Sequence, residues 1–166
     1  MTGLGGSMFR GTLAFCSNFY SCTVNDRGII YPSTEHLYQS FKTSDKSLRV
    51  VIASHPSKGL KSFIRGIAVR EDWDQIKEPI MRYCCLLKFS QPHMYDMLSR
   101  TYMPLIEDNH WHDNFWGHCN CPKCSNKPHH NHLGRILMEL RECDITYLQD
   151  VVSNWIAYIN HIDKEV

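Results

Sequence analysis

Between Glu107 and Gly117 the chain sets two indoles, two imidazoles and three carboxylates within eleven consecutive positions. Flat rings such as Trp111 and Trp116 stack on bases or on nicotinamide. A carboxylate beside them, Asp113, can steady an oxocarbenium-like centre or orient a water, as paired carboxylates do in glycosidases. A second reading stays open: a loop that plugs the core with its indoles. Directly downstream come His118-Cys119-Asn120-Cys121-Pro122-Lys123-Cys124 and then His129, His130 and His132. C-x-C-x-x-C with nearby imidazoles fits a tetrahedral zinc site. Three thiolates and one imidazole leave no open coordination position, which argues for a structural staple. Cys119, Cys121 and Cys124 are the expected thiolates. Spacing alone does not choose the imidazole; His130 is taken as the fourth ligand. Reduced, unliganded thiols are the alternative.

A third cluster joins Ser17-Asn18-Phe19 to Tyr31-Pro32-Ser33-Thr34-Glu35-His36. Backbone N–H groups at a helix start near Ser33 can hold an anion such as a phosphate. Glu35, mounted on that helix, suits a general acid or base. It could equally do no more than complement the helix dipole. Lys42, Lys58, Lys61, Arg65, Arg70 and Lys88 supply cations across the middle of the chain. Some can neutralise phosphate, and most read as solvated faces.

These residues need elements to position them. Gly11 to Phe19 carries Leu13, Phe15 and Phe19 at odd positions and reads as a strand. Asn25-Asp26-Arg27-Gly28 is a hairpin turn between Cys22-Thr23-Val24 and Ile29-Ile30-Tyr31. A helix starts at Ser33 or Thr34, and a second runs from about Asp45 to His55 with Ser44 as cap. A short helix holds Leu60, Phe63 and Ile64. The clearest helix runs Trp73 to Phe89, with Trp73, Ile76, Ile80, Cys84 and Leu87 at spacings of three and four. Pro92 opens another, and Pro104 to Glu107 reads as a strand. Asp108 to Asn131 is a long aperiodic loop, of a length that compact domains keep for function. Leu133 to Cys143 and a last helix capped by Asp144 complete the chain. The expected fold is α+β: one helix-rich domain over residues 1–166, with a small antiparallel sheet near the N-terminus.

Composition bounds the rest. The 166 residues are 43% hydrophobic and 21% charged, with a net charge of +1. That excludes a strongly basic footprint for duplex nucleic acid and an acidic disordered chain. No apolar run reaches the roughly 18 residues of a membrane span. Met1 to Arg10 shows no charged segment leading into an apolar stretch, so no secretory leader is expected. A reducing, cytoplasmic setting follows as the expectation, with Cys16, Cys22, Cys84, Cys85 and Cys143 as core thiols.

Taken together, the sequence resembles the NADAR family, also called YbiA-like. Phe15-Cys16-Ser17-Asn18-Phe19-Tyr20 resembles its opening SNF motif. Tyr31 to Lys42 resembles the helix signature that carries its glutamate, and Ile64-Arg65-Gly66 its Gly-Arg segment in swapped order. Arg70 to Asp74, Met81 and Lys88-Phe89-Ser90-Gln91 resemble its central helix. Leu105-Ile106-Glu107 and Trp111 to Gly117 resemble its DxxWG loop, and Asn131-His132-Leu133-Gly134-Arg135 its N-x-L-G helix. The match spans about residues 13 to 142. The chain departs from the family between WG and NxLG, where the Cys/His segment replaces a Gly-rich stretch.

The resemblance implies hydrolysis of the bond between a ribose C1 and an amine. The implied substrates are phosphoribosylamino-pyrimidine intermediates of riboflavin synthesis or ADP-ribose on guanine in nucleic acid. Glu35 and Asp113 are the implied catalytic carboxylates. Trp116 would stack on base or ring, and Asn18 and Gly117 would line the ribose. Phe19, His36 and Gly134 belong to the same motifs and join the substrate-binding set. The helix start at Ser33, with Lys42 or Arg65, would hold phosphate. No organic cofactor is implied. The rivals are a module that binds ADP-ribose or NAD without turnover and a zinc-knuckle nucleic-acid binder.

Overall fold

The computed structural model describes residues 9–164. Most of Met1 to Arg10, the segment read for a leader, lies outside the described residues. A hairpin of β1 (Val24–Asp26) and β2 (Ile29–Tyr31) pairs antiparallel, with Val24 opposite Tyr31. Its turn residues Arg27 and Gly28 both have positive φ, and the Asn25 side chain accepts the Gly28 N–H. This is the turn chemistry that the sequence shows. Helices follow: α1 (Thr34–Ser40), α2 (Lys46–Ser54), α3 (Leu60–Arg65), α4 (Trp73–Phe89) and α5 (Pro92–Ser99). After the loop come α6 (His132–Arg141) and α7 (Ile145–Ile162). The fold is helix-rich with a small antiparallel sheet, as expected. None of the helices among the described residues is long and apolar enough to cross a membrane.

The central element is α4. Ile76, Ile80, Cys84 and Leu87 bury one stripe, and Met81, Tyr83, Cys85 and Leu86 bury the flanks. Packed on several sides by α1, α5, α6 and α7, it is buried over its C-terminal half nearly all round, as helices of a core interior are. Caps fix the ends of the neighbours. Ser33 Oγ accepts the His36 N–H at the head of α1, and Asp144 accepts the Thr146 N–H at the head of α7. At α2 the cap is Asp45, which accepts from Ser47 and Leu48; the expected Ser44 lies one residue too early.

Two expected strands are absent. Gly11–Cys16 is a 3-10 helix. Its buried residues are Leu13, Phe15 and Cys16, while Phe19 is exposed, so the odd-position alternation does not describe one face. Leu13 and Cys16, three apart, share the inward side of a threefold helix. Pro104 to Glu107 forms no ladder either. The Asn131 side chain donates to the Leu105 carbonyl and accepts the Glu107 N–H, taking the place of a neighbouring strand. The short parallel pair lies just beyond, between β3 (Asp108–Asn109) and β4 (His118–Cys119).

Lys88, expected on a solvated face, is buried. Its Nζ donates to the Ser17 carbonyl at 2.8 Å and pins the segment that leads to Asn18. Burial pushes its ammonium down to about 8. At the far end, Asp163 gathers Arg27, Arg49 and Arg70, tying the hairpin, α2 and the approach to α4 to the foot of α7.

Candidate active site

A cavity of about 650 Å³ opens between α1, α3, the head of α4 and the 107–116 loop. Asn18, Glu35, Lys42, Arg65, Asp113 and Trp116 all line it. Residues 35 and 113, far apart in the chain, therefore face one space. Phe19, Ser33, His36, Gly117 and Gly134 do not line it. Phe19 is exposed, with the Lys61 ammonium over its ring at 5.3 Å. Ser33 and His36 are buried and consume each other: Ser33 Oγ and His36 Nδ1 are 2.7 Å apart, and His36 Nε2 meets the His55 carbonyl at 2.9 Å. The Glu35 N–H donates to the Asn18 carbonyl. The N–H groups of Glu35, His36 and Leu37 at the start of α1 are thus committed within the protein, and Ser33 stands off the cavity.

The two glycines serve packing. A Cβ on Gly117 would stand 2.0 Å from the Glu107 carbonyl oxygen, and one on Gly134 would stand 2.1 Å from that of Leu105. Both positions need a bare Cα for the chain segments to touch.

Glu35 projects from the first turn of α1 and is 6% exposed. Its Oε1 accepts from Gln39 Nε2 at 2.9 Å, one helical turn on, and lies 3.9 Å from Lys61 Nζ. The other amide atom, Gln39 Oε1, is buried without a hydrogen-bond partner. A buried acceptor left open at the wall of a cavity is available to a ligand hydroxyl or a water. Asn18 is held on both ends, its Nδ2 toward Met81 Sδ and its Oδ1 accepting from Thr34 Oγ1.

Asp113 Oδ1 accepts the N–H groups of Phe115 and Trp116 at 3.0 and 2.8 Å. Asn109 Oδ1 in turn accepts the N–H groups of Trp111 and Asp113. This amide scaffold turns the loop so that Trp111, Asp113, Phe115 and Trp116 all reach the cavity. Tyr38 packs against Trp73 at 5.1 Å and edge-on to Trp116 at 5.6 Å, forming an aromatic wall. Lys61 and Lys77 join Lys42 and Arg65 as cations on the lining.

A third carboxylate completes the set. Glu107 lines the same cavity. Burial pushes its carboxyl up, Asp113 and Glu35 push it further, and Lys61 only partly opposes them, so it lies at about 7. Sequence spacing gave Glu107 no distinct role, because its character comes from neighbours contributed by other segments. Gln39 had a signal in the sequence, four residues after Glu35 on one helical face.

A separate cluster lies behind the loop. His112 Nδ1 is 3.2 Å from Cys121 Sγ and 3.3 Å from Cys124 Sγ. With Cys119 Sγ, these ligand atoms all lie within 4.8 Å of one another, close enough to hold a metal ion. The imidazole is that of His112, not His130. His130 is exposed, uses its N–H on the Asn114 carbonyl, and stacks its ring on His132. The positive φ of His112 turns the chain back toward the cysteines, a fold-back that linear spacing does not reveal.

Residues 9–143 match the model of the NADAR domain. The "Riboflavin biosynthesis protein VVA0006" of Vibrio vulnificus is 34% identical over 77% of this chain, and the match spans 35% of that longer protein. The N-glycosidase YbiA of Escherichia coli is 29% identical over 76% of this chain and 78% of its own length. The N-glycosidase Npun_R5314 of Nostoc punctiforme is 30% identical over 76% and 82%. The NMR structure of the Escherichia coli protein YbiA superposes with a TM-score of 0.66 at 27% identity, covering 84% of this chain and 88% of that one. The chain belongs to the NADAR domain family and has the fold of the N-glycosidase YbiA.

Proposed function

We propose that this N-glycosidase hydrolyses the bond between ribose C1 and an amine in a phosphorylated ribosyl or ADP-ribosyl nucleotide. One observation carries the reading: Glu35, Glu107 and Asp113 line a single cavity together with a wall of indoles and four cations. Indoles take the flat base, cations take phosphate, and carboxylates serve the anomeric centre.

The roles divide by environment. The C1–N bond breaks, its electron pair passes to the leaving nitrogen, and that nitrogen must gain a proton. Glu107 is the donor, because a carboxyl at about 7 still carries its proton near neutrality. Asp113, with Oδ1 fixed by two N–H groups, faces the cationic sugar. Glu35, with Oε1 held by Gln39, takes the proton of the attacking water. The open Gln39 Oε1 accepts from a ribose hydroxyl. Trp116 stacks on the base, while Lys42 and Arg65 hold phosphate.

Two substrate arms test the reading: ADP-ribosylated guanine in an oligonucleotide and a phosphoribosylamino-pyrimidine. Release of the amine from at least one is expected. Glu35→Gln should lower that turnover about 10²–10⁴-fold while ADP-ribose binding stays measurable by calorimetry. Near-wild-type turnover in this variant overturns the assignment of Glu35. Binding of ADP-ribose with no turnover of either substrate favours the non-catalytic module.

We further assign the His112–Cys119–Cys121–Cys124 cluster to a closed zinc site. Zn–S near 2.3 Å and Zn–N near 2.0–2.1 Å place tetrahedral ligand atoms roughly 3.6–3.8 Å apart, a spacing this cluster brackets. Four protein ligands leave no vacancy for substrate. None of the eight cysteines is in a disulfide, which is in keeping with a reducing, cytoplasmic setting.

A further inference from the structure

We propose that metal bound at His112, Cys119, Cys121 and Cys124 sets the order of the loop that carries Trp111 and Asp113, making hydrolysis depend on an ion that never touches the substrate. The inference rests on the assignment of the cluster to zinc.

None of the four ligand residues lines the cavity, yet both chain neighbours of His112 do. Any displacement of the His112 backbone therefore moves an indole on one side and a carboxylate on the other. His112 also holds an uncommon backbone conformation. Its φ is 69°, in the left-handed region that disfavours residues with a Cβ. Arg27 and Asn131 are the other non-glycine residues with positive φ among the described residues. Arg27 sits in a hairpin turn that demands it, and Asn tolerates the conformation well. At His112 it is framed by Asn109, whose side chain holds the N–H groups of Trp111 and Asp113 and the Asp113 carbonyl. Its side chain is exposed, and its ring contacts are the Cys121 and Cys124 sulfurs. An uncommon conformer persists where the surroundings over-determine it, and a metal–imidazole bond adds to the Asn109 bonds the one restraint that acts on the His112 side chain itself.

The remaining supports of the loop lie to either side of the tip. Asn109 brackets it through the N–H groups of Trp111 and Asp113. Asn114 Oδ1 accepts the Cys119 N–H, linking the loop to the first thiolate. Beyond residue 114 the backbone is strapped to the approach of α6 by the N–H groups of His130, His132 and Leu133. Residues 110–113 have no strap to α6; their ends are held by Asn109, whose Nδ2 also donates to the Asp113 carbonyl at 2.7 Å. His112 is thus a positioning residue, acting through Asp113 and Trp111, and the metal ties down the residue that the Asn109 bonds bracket.

Hydrogen exchange reads this without any substrate. The protein is purified in reducing buffer, its zinc is counted, and exchange is compared before and after removal by a chelator. Exchange of the Asp113, Phe115 and Trp116 amides should quicken at least tenfold, with the amides of α4 unchanged. His112→Ala should reproduce that pattern and lower kcat at least tenfold, with cooperative unfolding kept. His112→Cys, which supplies a fourth thiolate, should restore both zinc and kcat. Less than about one zinc per chain overturns the zinc site and this inference together. Zinc present, with loop exchange unchanged on its removal, overturns the coupling alone. So does faster loop exchange with kcat unmoved, or a His112→Cys variant that regains zinc but not kcat. Opening of α4 on metal removal also overturns it, because the ion would then hold the domain and not the loop.

Discussion

Asp163 and Glu107 are both half-buried carboxylates, and the fold treats them in opposite ways. Burial disfavours the charge on each. Asp163 meets Arg49 Nη1 and Arg27 Nη1 at 2.8 Å and Arg70 Nη1 at 3.1 Å. Those guanidiniums outweigh burial and hold its carboxyl down at about 2. Glu107 has Asp113 and Glu35 as neighbours and only Lys61 in opposition, so it rises to about 7. The contrast separates a group that holds from a group that works. Full compensation makes a carboxylate inert and structural. Withheld compensation leaves a proton that can be given away near neutral pH.

Removing the compensated charge should have the largest effect. Asp163→Ala leaves the buried Arg49 guanidinium without its carboxylate, while Arg27 keeps Asp26 and Arg70 keeps Asp72, and urea denaturation should show a loss of about 3–5 kcal/mol. A loss below about 1 kcal/mol would place Asp163 among ordinary surface ion pairs. Next comes the uncompensated one. Glu107→Gln should cut kcat about 10²-fold and abolish the fall in wild-type rate above pH of about 7. Survival of that alkaline limb in the variant would reassign the proton donor.

Smaller still are the effects of pH on stability, where the two carboxyls should show opposite signs. The folded pKa of Asp163 lies below its ordinary 3.8. Its contribution is full above pH of about 4 and falls by about 2 kcal/mol as the pH drops toward 2. The folded pKa of Glu107 lies above its ordinary 4.5. It penalises the folded state as pH climbs from about 4.5 through 7. Glu107→Gln should therefore be more stable than wild type at pH 8 and equal to it at pH 4. Thermal melts of both variants across that range give the answer, and parallel curves would mean the two sites are not electrostatically distinct.

Periodicity made the helices readable. The stripe on α4, the cap of α7 and the hairpin turn are local patterns, and local patterns survive without tertiary knowledge. The strand expected at Gly11 to Phe19 failed for a tertiary reason, since Phe19 faces out and Cys16 faces in. The strand expected at Pro104 lost its ladder to the side chain of Asn131. Motif resemblance brought Glu35, Asp113 and Trp116 to the cavity. It also carried in Ser33, His36, Gly117 and Gly134, which hold the motif's backbone in place and do not line the cavity. Three features had no linear signature. His112 closes a ligand set from seven residues before the first cysteine, Glu107 owes its proton affinity to residues 35 and 113, and Lys88 is buried against Ser17.

The contact between Gly117 and the Glu107 carbonyl bears on how this chain can vary. Where a hydrogen is the largest substituent that fits, no substitution is conservative. Even alanine would lever Glu107 away from its two acidic companions. Phe19, exposed and off the cavity lining, carries no such constraint. The spacing of the carboxylates is thus tied to the absence of one methyl group at Gly117.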